Sequence, residues 1–62
     1  MRFRVFKVQS DGDLHFVQAT ASLDEAKILV SELGEAWPGE YVIENEETGD
    51  RLVVSTRDET KN

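Results

Sequence analysis

Only one stretch of this chain carries apolar residues at helical spacing, and that restricts its possible folds more than any other feature. Ala26, Leu29, Val30, Leu33 and Trp37 line up on one stripe of a helix, while Lys27, Ser31, Glu32 and Glu35 fall largely outside it. A lone helix cannot bury its own stripe, so a sheet must lie beneath it. Ser22 followed three residues later by Glu25 is a capping box, and Asp24 and Glu25 bring negative charge to the positive end of the helix dipole. The helix is therefore predicted to start at Leu23. Gly34 is a candidate stop, but the stripe continues to Trp37, and Pro38 drives the residue before it toward an extended conformation. An end near Ala36 satisfies both.

The flanking segments supply the sheet. "FRVFKV" (3–8) and "LHFVQA" (14–19) are rich in β-branched and aromatic residues and are joined through Asp-Gly. A three-residue loop of Ser10, Asp11 and Gly12 places Val8 opposite Leu14, Phe6 opposite Phe16 and Lys7 opposite His15. The face opposite Phe6 then carries Phe3, Val5, Val17 and Ala19. A two-residue loop would instead pair Lys7 with Phe16 and mix polar with apolar neighbours. After the helix, "EYVIEN" and "RLVVST" flank "EETGD", where a four-residue loop ending at Gly49 pairs Tyr41 with Val54, Val42 with Val53, Ile43 with Leu52 and Glu44 with Arg51. The expected fold is α+β: a two-layer ββαββ domain over residues 1–57, one helix on a four-stranded sheet built from two hairpins, with 58–62 a frayed polar tail.

Sixty-two residues suffice for one small domain, which buries only about 60% of the surface its unfolded chain exposes. The absence of cysteine removes disulfides and thiolate metal sites as supplements and suits a reducing compartment. The opening "MRFRVFKVQSDGD" has no apolar signal segment, and no run is long enough to cross a bilayer, so a cytoplasmic location is expected. Thirteen acidic residues against seven basic give a formal charge of −6, which argues against nucleic-acid phosphates and anionic membranes as partners. A charged partner should be basic.

Composition and spacing offer little to catalysis. His15 is the sole histidine and reads as a strand residue beside Lys7, because a catalytic base also needs a nucleophile or orienting partner. Glu44, Glu46, Glu47 and Asp50 crowd the second hairpin tip, but their spacing is not that of a calcium loop, and a solvated acidic turn is the simpler reading. Neither "DGD" nor "PGE" makes a phosphate-cradling glycine loop. Arg2 and Arg4 lack an aromatic platform on one face, so neighbouring acids are their expected partners. The chain is read as a non-enzyme with no catalytic, cofactor-binding or metal site.

The order of elements, and "GEYVIENEETGDRLVVST" in particular, resembles the small immunoglobulin-binding domains of streptococcal protein G and protein L, whose second hairpin also joins an aromatic strand and a β-branched strand through an acidic turn. The resemblance is one of layout over residues 2–56; no antibody-binding residues carry over one by one, and the segment 22–43 is also similar to a pattern in short uncharacterised bacterial proteins. It implies that the first and last strands lie side by side, parallel, at the centre of the sheet.

One helix covers one sheet face, yet both faces carry large apolar side chains. If Phe6, Val8, Leu14, Phe16, Tyr41, Ile43, Leu52 and Val54 lie beneath the helix, then Phe3, Val5, Val17, Val42 and Val53 form an exposed patch and a candidate interface. If the first hairpin is turned over, Phe6 and Phe16 are exposed instead. Trp37 has two readings: the plug that closes the open end of the core, or a partner-binding anchor. The expected function is a small acidic interaction module that binds itself as a homodimer, or another protein, through the open sheet face or a sheet edge. The alternative is an acidic inhibitor or decoy that uses its carboxylates as phosphate mimics on a basic protein site.

Overall fold

The structure, a computed structural model, describes residues 2–56. The polar tail 58–62 and the final residue of the expected domain lie outside the described residues. Five elements follow in order: β1 (Phe3–Val8), β2 (Leu14–Thr20), α1 (Leu23–Ala36), β3 (Glu40–Asn45) and β4 (Arg51–Ser55). They form one helix on an open four-stranded antiparallel sheet, so the two-layer α+β architecture is as expected.

Both hairpin turns take the form their glycines suggest. Around Ser10–Gly12, the Gln9 N–H donates to the Asp13 carbonyl at 2.8 Å and the Gly12 N–H to the Gln9 carbonyl at 2.9 Å. Gly12 has φ 91°, a left-handed conformation that a side chain would oppose. At the other hairpin the Asn45 N–H donates to the Asp50 carbonyl at 2.8 Å, and every pairing expected between β3 and β4 is present. The helix begins at its capping box: Ser22 Oγ accepts from the Glu25 N–H at 3.1 Å, and Glu25 Oε1 reaches back to the Ala21 N–H at 3.2 Å.

Strand order departs from the protein G and protein L layout. The sheet runs β2-β1-β3-β4, with β1 paired to β3 in antiparallel fashion and β4 at an edge. Hence β1 and β4 are neither adjacent nor parallel. Since β2 and β3 both oppose β1, they run parallel to each other, and α1 is the crossover between them with β1 inserted in the middle. The helix therefore packs chiefly on β1, β2 and β3 and leaves β4 as an outrigger.

The first hairpin is also turned over relative to the preferred reading. Phe3 and Val5 are buried with Ala26, Val30, Tyr41 and Ile43, and Val17, Leu23, Leu29, Leu33 and Val54 pack around them. Phe3, Val5 and Val17 thus belong to the core under the helix, not to an open-face patch. β2 carries a bulge: Phe6 faces Phe16 as expected, but Val5 faces Gln18 and Phe3 faces Thr20. The extra residue, Val17, shifts Ala19 onto the open face beside Arg4, and Thr20 Oγ1 donates to the Ser22 carbonyl at 2.9 Å, tying the strand to the helix start.

Candidate interaction surface

Two places on the molecule depart from ordinary core-and-surface partition. One lies at the C-terminal end of the helix, where Lys7 points to the helix side and is only 8% exposed. Its ammonium stands 5.2 Å from the centre of the Trp37 ring and 5.7 Å from that of Tyr41, and donates to the Val8 carbonyl at 3.0 Å. Those two aromatic faces offset part of the loss of water. Trp37 also meets His15 edge-on at 5.9 Å and Tyr41 at 6.5 Å, and its carbonyl accepts from the Tyr41 hydroxyl. Burial pushes the Tyr41 hydroxyl above its ordinary value of 10.0. Trp37 itself is 44% exposed, so it roofs the lysine from outside the core rather than plugging it. The reason is local: Trp37 follows the last helical residue, and its backbone ahead of Pro38 (φ −140°, ψ 71°) has left the helical conformation and carries the ring off the helix stripe.

The other place is the sheet face away from the helix. Cross-strand neighbours Phe16, Phe6, Val42 and Val53 form a row across all four strands. Phe6 and Phe16 pack edge-to-face at 5.8 Å, Val42 in the middle is buried by its neighbours, and Phe16 and Val53 at the ends are 52% and 62% exposed. Leu14, paired with Val8, extends the apolar area at the β2 end. Next to this row runs a polar one: Arg4 binds Glu44 at 2.6 Å, Arg51 reaches the other Glu44 oxygen at 3.5 Å, and Arg4 Nε lies 3.7 Å from Glu46. The Arg4 guanidinium also rests 5.9 Å from the Phe6 ring centre. An apolar strip rimmed by charge is the general form of a protein-binding surface.

Of the five residues first assigned to this face, Val42 and Val53 lie on it, whereas Phe3, Val5 and Val17 do not. Phe6 and Phe16, named for the inverted hairpin, occupy their place, together with Leu14. No family model matches the chain, and no curated protein or solved structure is significantly similar to it.

β4 is exposed on both sides. Leu52, on the helix face, is 42% exposed because the helix does not reach over it, and Val53 projects to the other face. Two shallow grooves flank the helix, one of about 250 Å³ between Leu23 and Leu52 and one of about 410 Å³ near Val30, Gly34 and Thr56. Neither is lined by a histidine or cysteine. Among the described residues, no cluster of three or more His, Asp or Glu has the geometry to hold a metal ion, and no helix is long and apolar enough to cross a membrane.

Proposed function

We propose that this chain is a non-catalytic interaction module that binds a second copy of itself, through the open sheet face or the β4 edge. The observation that carries the reading is the convergence at Val53: the apolar row of the uncovered face ends there, on a strand whose other face exposes Leu52. A monomer leaves both surfaces in water, and a symmetric partner would cover one or the other with matching chemistry. The acidic-decoy reading has less support, because Glu44, central on the open face, is already held by two arginines and is not free to imitate a phosphate.

Sedimentation of the wild type and of Val53→Lys tests the proposal. The wild type should show a monomer–dimer equilibrium that persists at high salt, since apolar contact is little screened. Val53→Lys should be a folded monomer, because a lysine on an edge strand is tolerated in water, whereas a dimer would either bury it unpaired between open faces or set it against its symmetry mate across paired edges. A decoy would bind a basic protein in a manner that weakens steeply with salt.

A further inference from the structure

We infer that the second copy adds through β4, antiparallel to its own counterpart and centred on Val53, giving a continuous eight-stranded sheet with both helices on one side. The inference rests on the self-association reading and chooses the surface and register within it.

Main-chain directions on β4 follow from its two ends. The Asn45 N–H donates to the Asp50 carbonyl and the Thr56 N–H to the Gly39 carbonyl, each at 2.8 Å. Between these anchors, antiparallel pairing alternates hydrogen-bonded with non-hydrogen-bonded residue pairs. The pairs Ile43 with Leu52 and Tyr41 with Val54 are therefore the bonded ones, and the N–H and C=O groups of Arg51, Val53 and Ser55 point away from β3. Among the described residues they form a row of donors and acceptors without a strand partner, on a short strand with no proline, no bulge and no charge facing the helix layer, so Arg51 at one end is the single charge that guards this edge. The opposite edge, β2, is bent by its bulge at Val17.

A two-fold axis through Val53 uses all three outward residues. Val53 exchanges bonds with its symmetry mate, and Arg51 with Ser55 of the other copy. On the helix side, Leu52 then faces the other Val54, so the apolar side chains left uncovered by each helix cover one another. On the open face the apolar row continues from Val53 into its mate. The charges also agree: Arg51 faces a small serine, and beyond that serine stands Glu40, its neighbour across β3–β4. Moving the axis onto Arg51 would set the two guanidinium groups against each other. A strand-to-strand contact of this length lies at the low end of interface sizes, below about 1,200 Å² in total, so the dimer forms in a concentration-dependent manner.

Amide hydrogen exchange on the wild type, read by NMR from dilute samples up to about 1 mM, where even a millimolar Kd gives substantial occupancy, decides the matter. The N–H groups of Arg51, Val53 and Ser55 should slow in proportion as the monomer fraction falls, about twofold at half occupancy and about tenfold only where roughly nine chains in ten are paired, while loop amides stay unchanged. Ser55→Pro removes one outward N–H without touching a β3–β4 bond and should be a folded monomer. A dimer in which these three amides exchange as fast as in the monomer, or which survives Ser55→Pro intact, overturns edge pairing and leaves self-association through the open face. A wild type that stays monomeric to 1 mM overturns both.

Discussion

Lys7 is the residue whose environment most contradicts its type. Its stem lies in the core layer and its ammonium between two aromatic rings, so the long side chain acts as a hydrophobic filler with a charged tip. Trp37 is the outer half of that arrangement. Full burial of a tryptophan would make Trp37→Ala cost about 3–5 kcal/mol, but a ring 44% exposed, with two edge contacts and one cation, should cost about half of that. Urea unfolding of the variant measures it. Beneath the tryptophan, Tyr41 gives the fold an alkaline limit. Its folded pKa is raised above 10.0 by burial, so the unfolded chain releases this proton first. Stability from Tyr41 is fully present below about pH 10 and is lost as pH rises through the folded value. Thermal melts between pH 9 and 11 should show a decline that Tyr41→Phe reduces, although that variant loses the hydrogen bond to the Trp37 carbonyl.

At the scale of elements, the helix contains one residue that propensity alone would replace. Glycine in a helix interior costs about 0.5–1 kcal/mol relative to alanine. At Gly34, however, an added Cβ would come within 2.5 Å of Thr56 Cβ and 2.7 Å of its hydroxyl. Thr56 cannot easily yield: its hydroxyl accepts from the Gly39 N–H and donates to the Gly39 carbonyl, both at 3.0 Å, and its own N–H bonds the same carbonyl. Gly34→Ala should therefore destabilise, by about 1–2 kcal/mol net, with circular dichroism melts as the measure. This close approach was not legible in the sequence, where Gly34 reads only as a candidate helix stop. The second hairpin's register was legible in full, and the first as far as Phe6 and Phe16, because Gly12 and Gly49 fix loop lengths and local pairing follows from them; the bulge at Val17 was not. Which face of β1 turns inward was not. Phe3, Val5 and Lys7 share one face and Arg4, Phe6 and Val8 the other, so each offers two apolar residues and one cation. The aromatic site that accepts Lys7 favours the observed side, and it exists only once β3 and the helix end are in place. Strand order was hidden for the same reason, since β1 meets β3 across most of the chain.

For the whole molecule, the helix is too narrow for its sheet. It covers three strands and leaves the fourth hydrogen-bonded to β3 alone, with Val54 tucked toward the core and Leu52 and Val53 in water on opposite faces. Stability and association should then be linked, because a partner that binds only the folded chain adds to its stability by mass action. The midpoint of thermal unfolding should climb as protein concentration rises over two decades, and the climb should vanish in Val53→Lys; scanning calorimetry measures both. The two borders of the sheet are unlike, and this limits how far assembly can go. A sheet with two straight borders recruits copies without end and becomes a fibre. Here Val17 bends one border out of line, so if a second copy occupies β4, no straight strand would remain for a third to lengthen, and growth would halt at a closed pair.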